Sequence, residues 1–88
     1  MVARGELAYV VLNRFPYNTG HVLVCPFRHV GDYADLNHDE LVEIAELTQT
    51  AVRVLRSDYG ADGVNLGMNL GDVAGAGITG HVHQHAVP

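Results

Sequence analysis

The sequence predicts an α+β domain in which a mainly antiparallel sheet packs against one amphipathic helix. Three observations favour this class: a composition of 48% hydrophobic and 17% charged residues, two apolar β-branched segments separated by turn formers, and one long segment with helical periodicity. A chain of 88 residues supports one packed core. We therefore expect a single domain over residues 1–88.

Two strands are indicated near the start of the chain, at residues 7–12 and 21–25. The segment between them is rich in Asn, Pro and Gly, which is typical of a loop. Pro26 follows the second apolar run and has no amide hydrogen for a sheet. We therefore expect the second strand to end there.

A helix is predicted in the middle of the chain. Apolar residues recur at intervals of three and four from Leu41 to Leu55, which is the spacing of one helix face. Asn37 and Glu40 form a capping-box pair at the start of this segment. Gly60 predicts its end, because glycine readily adopts the conformation that terminates a helix.

Two further strands are predicted in the last third of the chain. Apolar residues alternate with Asn or Gly over residues 64–70, and a second period-two segment covers residues 81–88. Residues 71–80, which lie between them, contain four glycines and are interpreted as a loop. The predicted order is β-β-α-β-β.

Charge and cysteine usage exclude several classes of protein. Five Lys and Arg residues against ten Asp and Glu residues give a net charge of −5, which argues against nucleic acid or an anionic membrane surface as partner. The single cysteine, Cys25, forms no internal disulfide, and we expect it to be a small buried hydrophobic residue. No segment has the character of a membrane span or a signal peptide. We therefore expect a cytoplasmic protein.

The candidate site lies in the last predicted strand, which carries His81, His83 and His85. Alternate residues of a strand share one face, so the three rings are expected to form a row. Each imidazole has a donor and an acceptor that need partners when buried. The row therefore predicts a functional site more readily than core packing.

Two chemistries fit such a row. Neutral imidazole is a common metal ligand, so His81 and His83 are candidates for binding a metal ion together with an outside group. Alternatively, the middle ring, His83, is a nucleophile whose other nitrogen is held by an acceptor. The glycine-rich loop favours the second interpretation, because its amides can converge on an anionic oxygen. Asp72 in that loop either binds a divalent cation or forms an Asx turn, and we favour the turn.

Two segments resemble the histidine triad (HIT) superfamily. The terminal HVHQHAVP resembles its signature, and NRFPYNTGHVLVCP at residues 13–26 resembles its upstream segment. The helix between them and the strand VNLGMNLG at residues 64–71 match in kind and spacing, so the resemblance covers nearly the whole chain. It is greatest to the branch of the fragile histidine triad hydrolases and the bacterial diadenosine tetraphosphate phosphorylases.

The resemblance implies a nucleotide hydrolase, phosphorylase or nucleotidyltransferase. Its nucleophile, His83 here, would attack the α-phosphorus of a dinucleoside polyphosphate or a related substrate and form a nucleotidyl-histidine intermediate. His81, His85 and Asn69 match the positions that orient the nucleophile and contact the phosphates. The positions implied in nucleotide binding, with the loop amides, are Leu12, Asn13, His21, Val22, Gly75, Gly77 and Thr79. No metal or other cofactor is required, a divalent cation is compatible with the phosphate substrate, and a homodimer is expected.

Several features depart from the family pattern. Gln84 stands where an apolar residue is usual, and it should face away from the rings. Gly77 and Ile78 occupy a region where many members place a Gln or Ser side chain on the phosphate, so backbone amides or Thr79 should replace that contact. Both ends are shorter than in relatives, so we expect a core fragment or an unusually short member. A catalytically weak nucleotide-binding protein is therefore an alternative, and the remaining histidines, His29 and His38, are expected to be solvated.

Overall fold

A five-stranded antiparallel sheet and one α-helix form the described part of the computed structural model, which comprises residues 3–12, 20–70 and 81–88. The strands are β1 (Ala3–Arg4), β2 (Ala8–Leu12), β3 (Val22–Pro26), β4 (Asn65–Gly67) and β5 (Gln84–Val87). The helix α1 spans His38–Asp58 and follows a short 3₁₀ helix, Tyr33–Asp35. The predicted α+β class is confirmed.

The last strand lies inside the sheet. The strand order is β1-β2-β3-β5-β4, and neighbouring strands are antiparallel. Ala86 of β5 is paired with Val22 on one side and with Leu66 on the other. β5, which carries His85, is thus held by a neighbouring strand on each side.

The helix begins and ends as its local signals predict. Asn37 Oδ1 accepts the amide of Glu40 (2.8 Å), and the Glu40 carboxylate accepts the amide of Asn37 (3.0 Å). After Asp58 the chain leaves the helix through Gly60, whose φ of 65° favours glycine. Across the described ranges, no helix combines the length and hydropathy that a membrane crossing requires.

The two faces of the sheet have different surroundings. Val10, Val24 and Ala86 belong to the buried cluster that includes Ile44 and Leu55 of α1. Because side chains alternate along a strand, their neighbours in sequence lie on the other face. Val11, Leu23 and His85 are in register there, and we call this side of the sheet the histidine face.

β2 begins one residue later than predicted, and β3 is shifted by one residue, so that it includes Pro26, which pairs with Ala8. The other three strands differ more from the prediction. β1 was not predicted, because two residues carry no readable periodicity. The strand predicted over residues 64–70 is ladder-paired only at Asn65–Gly67, and Leu66 is 48% exposed. The strand predicted over residues 81–88 begins only at Gln84, because the amide of Val82 donates to the Val30 oxygen (2.6 Å), which lies outside the sheet.

Candidate active site

Two imidazoles meet on the histidine face, where β5 begins. The ring centroids of His83 and His85 are 4.8 Å apart, with the rings edge to face at 73°. His83 is only 8% exposed and immediately precedes β5, whereas His85 lies within it. The two rings therefore lie at the start of β5, an inner strand of the sheet.

The tautomer of His83 is fixed by its main-chain partner. Its Nδ1 lies 3.1 Å from the main-chain oxygen of His81. A carbonyl oxygen only accepts hydrogen bonds, so Nδ1 carries the proton and donates it. The lone pair of the neutral ring is consequently on Nε2, which is the arrangement of an imidazole nucleophile.

His85 is paired with a buried histidine of the neighbouring strand. Its Nδ1 lies 3.1 Å from Nε2 of His21, which is 4% exposed. Gly20, which precedes His21, has a φ of 91°, a conformation that favours glycine. A Cβ on Gly20 would also lie 2.8 Å from Cδ2 of Leu55, so glycine is required at this position. The other ring nitrogen of His85, Nε2, is buried and has no hydrogen-bond partner among the described residues. Such an atom is suited to a ligand oxygen, because an unpaired buried polar group is costly.

The paired histidines are held neutral by their surroundings. Burial lowers the pKa of His21. Burial also lowers the pKa of His85, and the nearby His83 and His21 lower it further. Burial raises the pKa of the Cys25 thiol, which confirms Cys25 as a buried residue and not a thiolate nucleophile. Near neutral pH His21 and His85 are therefore uncharged donors and acceptors.

His81 lies before β5 and contacts the end of β3 and the segment after it. Its Nε2–H donates to the main-chain oxygen of Pro26 (2.6 Å), and its ring stacks on His29, with centroids 4.7 Å apart and planes at 19°. Its ring centroid also lies 6.4 Å from that of Tyr9, which alternates with Val10 onto the histidine face, and the row of three rings stays a prediction. His29 is exposed as expected, but it is a stacking partner and not simply solvated.

The structure separates the residues that the resemblance assigns to nucleotide binding. Leu12 and Val22 line a cavity on the α1 side of the sheet, opposite His85, which leaves their predicted contact without geometric support. Asn69 is exposed just after β4. Gln84 lines a groove facing α1, as expected. The candidates outside the described residues are Asn13, Asp72, Gly75, Gly77 and Thr79.

Sequence reasoning missed Val11 and grouped Leu23 with Val22 and Val24, so it did not identify which apolar residues share a face with the rings. Val11 and Leu23 are half-buried and in register with His85. The alternation within each strand was readable, but the register between strands was not. The residues that share a face with His85 can be identified from the alternation only after the cross-strand register is known.

The metal interpretation gains no support from the described part of the chain. No group of three or more His, Cys, Asp or Glu side chains there is arranged to hold a metal ion. His81 and His83, the predicted pair, each have one ring nitrogen occupied by a main-chain oxygen. Their rings also have different neighbours, so the two side chains are not prearranged to bind one metal ion.

Fold and site together define an α+β domain in which a tautomer-fixed imidazole, just before an inner strand of the sheet, lies beside a second, neutral imidazole on that strand. The sequence profile of the HIT domain matches residues 1–88, and the chain belongs to this family.

Comparison with individual proteins agrees with this membership. The chain is 46% identical over 88 residues to an AP-4-A phosphorylase of Mycobacterium tuberculosis, covering 100% of this chain and 45% of that protein. It is 34% identical over 83 residues to a bis(5'-adenosyl)-triphosphatase of Dictyostelium discoideum, covering 94% of this chain and 55% of that protein. The solved structure of the C. elegans NitFhit protein superimposes with a TM-score of 0.91 at 27% identity, over 97% of this chain and 20% of that one. The chain thus spans about half the length of these curated relatives.

Proposed function

We propose that the protein cleaves dinucleoside polyphosphates at the α-phosphorus through a nucleotidyl-histidine intermediate on His83. The observation that carries the proposal is the hydrogen bond from His83 Nδ1 to the His81 oxygen, which leaves Nε2 as the nucleophilic atom. The names of the two relatives, a phosphorylase of AP-4-A and a bis(5'-adenosyl)-triphosphatase, support this class of substrate.

The first step forms a bond between His83 Nε2 and the α-phosphorus and breaks the bond from that phosphorus to the bridging oxygen. His85 Nε2 has no protein partner among the described residues, so its N–H is available to donate a hydrogen bond to the departing oxygen, which leaves as an anion of the polyphosphate. For this role His21 Nε2–H must donate to His85 Nδ1, which places the proton of His85 on Nε2. The nucleoside polyphosphate then leaves.

The second step releases the nucleotide. Water or inorganic phosphate attacks the same phosphorus, the N–P bond breaks, and His83 regains its Nε2 lone pair. Uncharged donors suffice for this chemistry when they are preorganised around the phosphate. No resident cofactor takes part in the proposed steps, and a divalent cation is compatible as a companion of the phosphates.

Nucleotide contacts are proposed for two groups of residues. On the histidine face, Val11 and Leu23 offer apolar surface beside His85 for the nucleoside. Asn69 and the loop amides are proposed for the phosphate chain, as the family resemblance implies. The loop candidates are Gly75, Gly77 and Thr79, and Asn13 is retained for the nucleoside.

We also propose a cytoplasmic homodimer. β4 is the last strand in the sheet order, so its outer edge has no paired strand among the described residues. Beside it, a groove of about 420 Å³ runs between α1 and the sheet, with Tyr33, Val52 and Leu66 among its lining residues. A second copy of the chain that covered this edge and groove would bury exposed apolar surface.

Rapid-quench labelling tests the covalent step. Wild type mixed with diadenosine tetraphosphate should show a protein mass increased by one adenylyl group, and peptide mapping should place it on His83. His83→Ala should lose the adduct and reduce kcat by about 10³-fold or more, because the covalent route is removed. His38→Ala, which changes an exposed histidine at the start of α1, is the matched control and should retain activity.

Two results would contradict the proposal. Equal turnover by wild type and His83→Ala would exclude His83 as the nucleophile. Micromolar nucleotide binding without product release by wild type would instead favour the non-catalytic nucleotide-binding alternative.

A further inference from the structure

We infer that His29 is a positioning residue for His83, acting through the backbone of His81. The inference deepens the proposed function and rests on it for the catalytic consequence. His29 lies in the segment after β3, outside the histidine-rich end of the chain, and is exposed to solvent. Its ring contact with His81 links it to the residue whose main-chain oxygen sets the tautomer of the nucleophile.

The backbone at His81 is not held by the sheet. β5 begins at Gln84, so residues 81–83 have no cross-strand ladder partner. This segment is instead docked by two hydrogen bonds on the last residue of β3 and on the chain that follows it. The amide of Val82 donates to Val30 (2.6 Å), and the ring of His81 donates to Pro26 (2.6 Å). Both acceptors are main-chain oxygens, which no substitution of a side chain removes directly.

The stacked ring of His29 completes this docking. Its plane lies at 19° to that of His81, with the centroids 4.7 Å apart. The hydrogen bond to Pro26 fixes one edge of the His81 ring, and the stack limits rotation of the ring out of that bond. Three rotatable bonds separate the ring of His81 from its carbonyl oxygen, and the amide of Val82 in the same peptide group is held by Val30, so holding the ring further limits displacement of the carbonyl group.

The restrained carbonyl is the acceptor of His83 Nδ1–H. The distance is 3.1 Å, near the long end of the range for such bonds, so a small displacement of the oxygen weakens it appreciably. Once this bond is lost, the His83 ring is free to carry its proton on Nε2. That tautomer has no lone pair directed at the phosphorus and is not a nucleophile at that atom.

His29→Ala and His29→Phe separate stacking from other roles of the imidazole. Both substitutions are at an exposed position, whereas alanine removes the ring and phenylalanine retains a planar partner. With diadenosine tetraphosphate, His29→Ala should lower kcat about three- to tenfold and leave KM within about twofold, and His29→Phe should restore most of kcat. His38→Ala serves as the exposed-histidine control and should behave as wild type.

A measurement of the His83 tautomer distinguishes a positioning role of His29 from a role in folding alone, which would leave the tautomer unchanged. Long-range ¹H–¹⁵N correlation spectra distinguish the Nδ1–H from the Nε2–H form of each ring. Wild type should show His83 as Nδ1–H, His29→Ala should shift it measurably toward Nε2–H, and His29→Phe should return it. Circular dichroism and urea unfolding should show that all three proteins are folded.

The outcomes distinguish this inference from the proposed function. An unchanged His83 tautomer in His29→Ala overturns the positioning role, as does a change confined to KM, which would make His29 a substrate contact. Failure of His29→Phe to restore kcat overturns the stacking argument. If wild type lacks turnover, the proposed function fails, and the spectra still decide whether His29 sets the tautomer of His83.

Discussion

His21 and His85 connect the site to stability through pH. Burial lowers the pKa of both rings in the folded chain, so the unfolded chain binds more protons below the ordinary histidine value of about 6.5. Stability then rises with pH wherever the unfolded state binds more protons. Their contribution is therefore present above about pH 6.5 and is lost as the pH falls below it.

We expect the free energy of unfolding, measured by urea titration, to decrease between pH 7.5 and pH 5.5. In the double variant His21→Gln/His85→Gln this decrease should be smaller, because glutamine does not titrate. His38→Gln should retain the wild-type slope, since His38 is exposed at the start of α1. A double variant with the full wild-type slope would show that other groups cause the pH dependence.

The site was only partly predictable from these residues. The spacing of His83 and His85 in sequence placed them close together, and their rings do meet. The spacing did not show that His81 and His83 precede the ladder, because spacing describes a strand and not where pairing begins. Contacts with His21 and His29 join residues far apart in sequence, and no local pattern encodes them.

The Glu43 side chain connects α1 to the segment between β1 and β2 through hydrogen bonds. Its carboxylate accepts the amides of Leu7 (2.6 Å), Ala8 (2.5 Å) and Glu6 (3.2 Å). A Cβ on Gly5 would lie 2.6 Å from the carboxylate carbon, so glycine leaves room for this contact. Charge-assisted bonds to main-chain amides are among the stronger ones in proteins.

Glu43→Ala should lower the free energy of unfolding by about 2 kcal/mol, because several main-chain donors lose their acceptor. Gly5→Ala should be destabilising through the same contact, so the double variant should lose less than the sum of the two single variants. Urea unfolding of all three proteins tests this cycle. Glu46→Ala, exposed on the same helix, should change stability by less than about 0.5 kcal/mol. Strict additivity of the two changes would argue against a shared contact.

Secondary structure was predictable to the extent that its signals are local. The capping box of Asn37 and Glu40 and the glycine after the helix lie within a few residues of the ends that they define. Glu40 is also bound by Arg28 through two hydrogen bonds (2.7 and 3.1 Å), a long-range contact that the sequence did not predict. Arg28 foremost lowers the pKa of Glu40, so this pair stabilises the fold above the ordinary carboxyl pKa and ceases to do so as acid protonates Glu40.

At the scale of the whole molecule, the two faces of the sheet have different roles. One face is packed against α1 and supplies the core, while the histidine face carries the paired rings. β5 belongs to both, since Ala86 is fully buried beneath the helix and His85 projects to the other side. Substitutions on the helix side should therefore affect stability or assembly before they affect chemistry.

The proposed homodimer provides the test of that separation. Leu66→Asp places a charge at the outer strand, next to the groove, where the native side chain is 48% exposed and the fold tolerates a polar residue. Sedimentation velocity should show wild type as a dimer. The dimer dissociation constant of the variant should be about tenfold higher or more, because an unpaired charge is costly in an apolar interface. Val54→Asp, at an exposed position of α1 beside the other cavity, should remain dimeric.

A wild type that is monomeric at about 100 µM would exclude a stable dimer, since a dimer with a dissociation constant of about 1 µM or lower would be the main species at that concentration. Dissociation of Val54→Asp with retention of the dimer in Leu66→Asp would instead place the interface at the opposite end of the helix face.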